Sequence, residues 1–289
     1  MIIVTGATGQ LGRLIVKALL KKTAPSQVVA AVRSPDKAAD LAQAGVNVRA
    51  ADYDRPETLA AALQGAEKVL LISGNVIGHR VTQHRAVIDA ARKAGVQLIA
   101  YTSVLRAPTT PLTVGPDHRE TEAAIKASGL PAVLLRNGWY SENYLFRAAG
   151  AAKSGVLLGC AGDGRISAAP RADYAEAAAV ALTKPDQAGR TYELAGDESF
   201  TLPMLASELS RQLGRSIGYK NVTENEFKEA LEKSGIPSAY APMLARSDAL
   251  TAEGVLLETG RQVSGLIGRA TTPIAKVIEE AIRAGQIPR

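Results

Sequence analysis

The chain opens MIIVTGATGQLG, in which a short apolar run over residues 2–4 meets glycines at Gly6, Gly9 and Gly12. The run has strand length, and residues 11–20 that follow have helical spacing. A strand that turns through glycines into a helix leaves free backbone N–H groups at the positive end of the helix dipole, which makes an anion site. Gly6 allows the tight turn, Gly9 the close approach of a pyrophosphate, and Gly12 the close packing of helix on strand. A strand before and a helix after are the context that separates a dinucleotide-binding turn from an ordinary β-to-α turn.

The pattern continues in kind. Apolar strand-like runs recur at 28–32, 46–50, 69–72, 98–101 and 133–135, with helical patterns at 36–44, 56–63, 81–94 and 120–128 between them. Several of these helices stop at a glycine, as at Gly45, Gly95 and Gly129. Continuous apolar strands alternating with helices predict an α/β fold, a doubly wound parallel sheet of Rossmann type in the order 3-2-1-4-5-6. After residue 150 the pieces become shorter and mixed: a glycine-rich, hairpin-like stretch at 156–164, an alanine-rich helix at 175–182, a strand at 191–194, then helices. Thr201 and Thr223 are good N-caps, the latter forming a capping box with Glu226, and Thr272-Pro273 opens a last helix. We therefore expect a Rossmann domain over 1–150 and a smaller C-terminal α/β lobe over 151–289, from which some segments return to the first domain.

Composition narrows the function classes. At 46% hydrophobic and 21% charged residues the chain has a globular protein's core. No stretch is long and apolar enough to span a bilayer. The N-terminal apolar segment is too short for a signal peptide and lacks a basic leader, so cytoplasmic residence is expected. The single cysteine, Cys160, excludes an intrachain disulfide and a cysteine-built metal site. The net charge of +6 comes from scattered bases with only 4% aromatics, which suits an anionic cofactor better than a nucleic acid.

Ligands of a doubly wound sheet lie beyond the carboxyl ends of the strands, here Thr5, Arg33, Asp52, Ser73, Ser103 and Asn137. An acid at the end of the second strand, about 20 residues past the glycines, would bind a ribose 2′-hydroxyl. Arg33 stands there instead; a guanidinium can clamp a 2′-phosphate bidentately, which favours NADPH over NADH. Asp36 lies close by, and the bland alternative for Arg33 is a surface arginine beside a turn. Asp52 could bond the adenine amino group or equally start the next helix. Ser73, Gly74 and Asn75 are small residues that let the backbone approach the ribose side of the cofactor.

The chemistry shows partly by omission. A carbonyl dehydrogenase on this scaffold would carry a tyrosine and a lysine four apart, and none of the eight tyrosines has one. The corresponding segment offers His118 and Glu122; His118 is an acid or, more simply, a surface residue at a helix start. With three histidines and no HxxxH or HExxH spacing, no metal is expected, and no GxSxG elbow suggests a hydrolase. Residues 136–144, RNGWYSENY, bring the only Trp, two Tyr and two Asn to a strand end. They form either a polar-aromatic loop over the nicotinamide, with Asn137 or Asn143 orienting a carbonyl, or a packing cluster. Tyr174 is a second candidate for the same cleft.

Taken together, TGATGQLG, AAVRSPDKA, ADYDRPETL, KVLLISG, IAYTSVLRA, LLRNGWYSENY and RADYAEAAA resemble the NmrA-like branch of the atypical short-chain dehydrogenases. The GWYSENY stretch places the likeness with the quinone-reducing members rather than the dye-reducing ones. The resemblance implies a Rossmann domain with a small C-terminal domain, NADPH as cofactor without flavin or metal, and a quinone as acceptor. Its cofactor contacts would be Gly6, Ala7, Thr8, Gly9, Gln10, Leu11, Arg33, Ser73, Gly74, Asn75, Asn137, Gly138, Trp139, Tyr140, Ser141 and Glu142. Tyr140, Asn143, Ala169 and Tyr174 would face the substrate. Direct hydride transfer to a strongly electrophilic quinone needs no dedicated proton donor, which fits the missing Tyr-Lys pair. A cofactor-binding redox sensor, or a reductase of another flat electrophile such as a dye or an enone, is the alternative.

Overall fold

Aliphatic runs with little polar interruption form the centre of the protein, because strands covered by helices on both faces have no solvent side to offer a polar residue. In the computed structural model, which describes residues 1–76 and 78–289, these strands are β1 (Ile2–Thr5), β2 (Val28–Val32), β3 (Asn47–Ala50), β4 (Lys68–Leu71), β5 (Leu98–Val104) and β6 (Ala132–Asn137). Three more follow: β7 (Val156–Gly159), β8 (Thr191–Leu194) and β9 (Gly218–Asn221). The main sheet has the order β3-β2-β1-β4-β5-β6-β8. Every pairing from β3 across to β6 is parallel. The expected doubly wound order is present, with β8 added at the β6 edge.

The chain divides into two compact units. Unit 1 holds Met1–Pro108, Pro116–Asn137 and Arg171–Glu193; unit 2 holds Thr109–Gly115, Gly138–Pro170 and Leu194–Arg289. The helices of unit 1 are α1 (Gln10–Leu19), α2 (Ala39–Gln43), α3 (Pro56–Ala62), α4 (Arg80–Lys93), α5 (Gly115–Ser128, entered from unit 2) and, later in the chain, α7 (Arg171–Thr183). Unit 2 contains α6 (Leu145–Ser154), α8 (Leu202–Leu213), α9 (Glu224–Lys233), α10 (Ala241–Thr251), α11 (Gln262–Ile267) and α12 (Ile274–Arg283).

The unit 1 core is built from Ile3, Val29, Leu59, Val69, Leu71, Val87, Ile99 and Ile125, all buried. On the α1 side α7 packs closely: its run of Ala175, Ala177, Ala178, Ala179 and Ala181 is buried, and small side chains let the two helices approach. Unit 2 differs from expectation at one point. The stretch predicted to be hairpin-like is a single strand, β7, paired in parallel with β9, from Val156 with Gly218 to Gly159 with Asn221. The partner lies far along the chain, so a local turn reading had no access to it. Both threonine caps form: Thr201 accepts from the Met204 N–H, and Thr223 and Glu226 make the reciprocal box.

Candidate functional site

The order of the sheet reverses between β1 and β4, and a doubly wound fold keeps its ligand crevice at that reversal, beyond the carboxyl ends of the strands. The glycine turn stands at this place. Gly6 adopts φ +61°, left-handed backbone that suits glycine. Gly9 closes the turn by donating its N–H to the Gly6 carbonyl at 3.0 Å, and serves as the N-cap of α1 with no side-chain cap. A Cβ on Gly12 would lie 2.4 Å from the Gly6 oxygen, so only glycine lets α1 pack this tightly. The first turn of α1 contains no acid. Gly6, Gly9 and Gln10 are exposed, Thr8 is half-buried, and Ala7 and Leu11 are buried, so the backbone of the turn is what solvent reaches. Uncapped amides, a positive dipole end and no carboxylate make this turn fit an anionic pyrophosphate.

Beside the turn, Tyr53 links three strand ends. Its hydroxyl lies against Thr5 Oγ1 and 3.0 Å from the Ile72 carbonyl, while Thr5 Oγ1 lies 2.9 Å from the Leu70 carbonyl. Burial holds the Tyr53 phenol well above its ordinary pKa, so it stays a neutral strut. Arg33, just past β2, is exposed and makes no hydrogen bond or ion pair to another described residue. Its guanidinium is therefore available to an outside anion. Asp52 is engaged locally: its carboxylate accepts the Asp54 N–H at 3.1 Å, in the turn that leads into α3.

The segment after β4 is held from several sides. Ser73 donates its N–H to Thr102 Oγ1 at 2.9 Å. Gly74 donates its N–H to His84 Nε2 at 2.9 Å, and its carbonyl accepts from Arg80 Nε at 2.7 Å. A backbone N–H can only donate, so His84 Nε2 is bare and its proton sits on Nδ1, which donates to Thr121 Oγ1 at 2.9 Å. Burial, aided by the Arg80 charge, pushes the His84 pKa down to about 3, which keeps the ring neutral. Arg80 in turn pairs with Asp117 at 3.0 Å. Asn75 is exposed.

His118 is not the surface residue that one sequence reading supposed. It is buried, bonded through Nδ1 to the Tyr101 hydroxyl at 2.6 Å, and held down to about 3 by burial and by Arg80. Kept neutral in that position, the imidazole is a poor general acid. Glu122 is also committed: it accepts from Ser103 and from both faces of the Arg136 fork. The Glu122 carboxylate, hydrogen-bonded to Arg136, holds the guanidinium firmly protonated. Asn137, at the end of β6, is buried.

The second segment of unit 2 begins at Gly138. Tyr140 bridges to Ala169, and Ser141 donates its N–H to the Ala169 carbonyl at 2.9 Å. Ser141 is wholly buried, and its hydroxyl has no hydrogen-bond partner among the described residues. Trp139, Tyr140 and Glu142 are half-buried, and Asn143 is exposed. Trp139 and Asn143 line a cavity of about 110 Å³ whose other walls include Phe146, Phe227 and Leu244. Arg147 and Asp248 form a buried ion pair in its wall at 2.8 Å, the guanidinium lying 4.6 Å from the centre of the Phe227 ring. Ala169 in unit 2 and Tyr174 in unit 1 are buried. Among the described residues no group of three His, Cys, Asp or Glu could hold a metal ion, and no helix is long and apolar enough to cross a membrane.

The bracket of Arg80, Gln83 and His84 around Gly74 was not read from the sequence. One signal was present: His84 falls in phase with Val87, Ile88 and Ala91, the buried stripe of α4, where a polar residue requires a partner.

A glycine turn at the reversal of a doubly wound parallel sheet defines a member of the Rossmann class of nucleotide-binding proteins. The chain belongs to the NmrA-like family, which matches residues 1–266. It is 49% identical to quinone oxidoreductase 2 of Escherichia coli (strain K12), over 96% of this chain and 97% of that protein. The crystal structure of the E. coli NADPH-dependent quinone oxidoreductase complexed with NADPH superposes with a TM-score of 0.95, covering 97% of this chain and 99% of that one at 49% identity. Triphenylmethane reductase of Citrobacter sp., complexed with NADP(H), superposes with a TM-score of 0.94 at 35% identity, over 98% of this chain and all of the other (100%).

Proposed function

We propose that this chain is a cytoplasmic NADPH-dependent quinone oxidoreductase. The observation that carries the reading is the near-full-length likeness to the E. coli quinone oxidoreductase, joined to a glycine turn at the β1–β4 reversal that fits a pyrophosphate. Bound NADPH supplies a hydride to the acceptor.

The chain's own part is binding and placement. The amides at the start of α1 that the turn's own hydrogen bonds leave free take the pyrophosphate, and unpaired Arg33 takes the 2′-phosphate. Asp52 lies beyond β3 for the adenine side, and Ser73, Gly74, Asn75 and Asn137 line the crevice of unit 1. The family likeness adds Gly138, Trp139, Tyr140, Ser141 and Glu142 as cofactor contacts. Tyr140, Asn143, Ala169 and Tyr174 are the substrate-facing candidates, and the cavity beside Trp139 and Asn143 is sized for one small apolar ring. Buried, neutral His84 and His118 are poor acids, which suits an electrophilic quinone that needs no dedicated proton donor and can take its proton from solvent.

An acceptor screen following NADPH oxidation tests the reading. Benzoquinones and naphthoquinones should turn over faster than a triphenylmethane dye or an enone. Saturable NADPH binding with no turnover of any acceptor would point to a redox sensor instead, and faster dye reduction would overturn the choice of quinone.

A further inference from the structure

We propose that His84 is a positioning residue for the cofactor crevice: as the Nδ1–H tautomer it locks the Gly74 backbone, so that the wall after β4 is set before any ligand arrives. This rests on the reading that residues 73–75 line the dinucleotide site.

Packing alone does not explain an imidazole at this place. His84 is wholly buried among Val87, Ile88 and Ala91 on α4, where an aliphatic side chain would fill the volume without burying polar nitrogens. Both ring nitrogens are instead used directionally. Nδ1–H donates to Thr121 Oγ1, whose own hydroxyl donates to the Asp117 carbonyl at 2.8 Å on α5. Nε2 receives the Gly74 N–H. The chain of bonds thus runs from the backbone of one helix, through two side chains, to the backbone of the loop.

Gly74 is fixed in both of its peptide planes. Its N–H belongs to the plane shared with Ser73 and is held by His84; its carbonyl belongs to the plane shared with Asn75 and is held by Arg80. Gln83 completes the bracket: a Cβ on Gly74 would lie 2.9 Å from Gln83 Oε1, while Gln83 Nε2 holds the Asp54 carboxylate at 2.9 and 3.0 Å. Three consecutive-turn residues of α4 therefore serve one loop at the β1–β4 reversal. A wall ordered in advance spares the ligand the cost of ordering it.

The test uses the whole protein with His84→Leu, His84→Gln and, as a core control, Ile99→Val. Ile99 is buried in β5, and its side chain has no part in holding the segment. Amide exchange at Gly74 without cofactor reports the bracket; NADPH Kd and the split between kcat and quinone KM report the consequence. His84→Leu should speed Gly74 exchange and raise the NADPH Kd roughly tenfold, the loss of about one buried hydrogen bond's contribution. It should also lower kcat at saturating NADPH. His84→Gln, which keeps an acceptor, should recover much of each, and Ile99→Val should move thermal stability alone. If His84→Leu does not fold, Thr121→Val carries the test with smaller effects of the same sign. Wild-type NADPH affinity in a folded His84→Leu or Thr121→Val, or an equal Kd rise in Ile99→Val, would overturn the proposal. Failure of the wild type itself to bind NADPH would instead remove the cofactor reading on which it rests.

Discussion

Arg136 on β6 meets Glu122 on α5 as a two-pronged fork, Nε to Oε1 at 2.9 Å and Nη2 to Oε2 at 2.7 Å. The free prong, Nη1, reaches Glu193 Oε1 at 2.8 Å, and Glu193 Oε2 accepts the Arg106 N–H at the same distance, 2.8 Å. Ser103 donates to Glu122 at 2.6 Å. Three segments of unit 1 that are distant in sequence are pinned here through one guanidinium.

Breaking that fork should be costly. The Arg136 and Glu122 side chains are only 15% and 11% exposed, so Glu122→Ala leaves a largely buried cation with half its partners. We expect a loss of about 3 kcal/mol in urea unfolding at neutral pH. Glu122→Leu combined with Arg136→Met should lie closer to wild type than either single change, because both charges of the fork go together and Glu193, the more exposed carboxylate, keeps the Arg106 N–H. Equal stability of Glu122→Ala and wild type would show that solvent or Glu193 compensates fully.

Arg33→Ala addresses the cofactor's 2′-phosphate. The side chain is exposed and unpaired, so its loss should leave the fold's stability within about 0.5 kcal/mol. Fluorescence titration should show the NADPH Kd rising roughly tenfold or more while NADH affinity barely changes, since only NADPH carries the clamped phosphate. An equal loss for both nucleotides would assign Arg33 another role.

Gly12→Ala adds one methyl where the nearest atom, the Gly6 carbonyl oxygen, would be 2.4 Å away. The helix must lift from the turn, so we expect roughly 1–3 kcal/mol of destabilisation by thermal or urea melting, with nucleotide binding lost out of proportion. Gly265→Ala, where an added Cβ meets nothing within 4 Å, is the matching control and should change neither.

Acidification should unfold the protein through its buried imidazoles. His84 and His118 are held at about 3 in the folded state, against 6.5 for a free side chain. Between those limits the unfolded chain binds more protons, so stability is fully present above 6.5 and falls as the pH drops toward 3. From pH 7 to pH 5 each histidine should contribute roughly 2 kcal/mol of lost stability. Melting curves across that range should be visibly flatter for the His84→Gln, His118→Gln double variant; an unchanged slope would assign the pH dependence to other groups.

The central sheet was legible because its evidence is local. Val28 to Val32 is a continuous aliphatic run, and Gly45, Gly95 and Gly129, all with positive φ, end the patterns before them. The glycine turn was legible for the same reason. What escaped was non-local: β7 finds its partner β9 across the whole of α7, β8 and α8, and β8 joins the main sheet rather than a separate lobe. The site divides along the same line. Arg33 could be placed by counting from the glycines, whereas the ties of Tyr53 to Thr5, Gly74 to His84 and Arg147 to Asp248 join positions that no spacing rule connects. His118 was misjudged as a surface residue because its neighbour Asp117 suggested a solvated helix start; the Tyr101 hydroxyl on β5 gives it a buried partner.

The return of α7 and β8 to unit 1 has a consequence for how the protein is made. On the ribosome, residues 1–137 emerge with α1 lacking its alanine-rich cover and β6 standing as an open sheet edge. Both gaps close only once synthesis has passed Glu193, and the Lys68 ammonium finds the Leu182 carbonyl at that stage too. The nucleotide-binding half of this enzyme therefore cannot mature cotranslationally ahead of the segment that interrupts it, and a gene truncated near its midpoint should yield an aggregation-prone fragment.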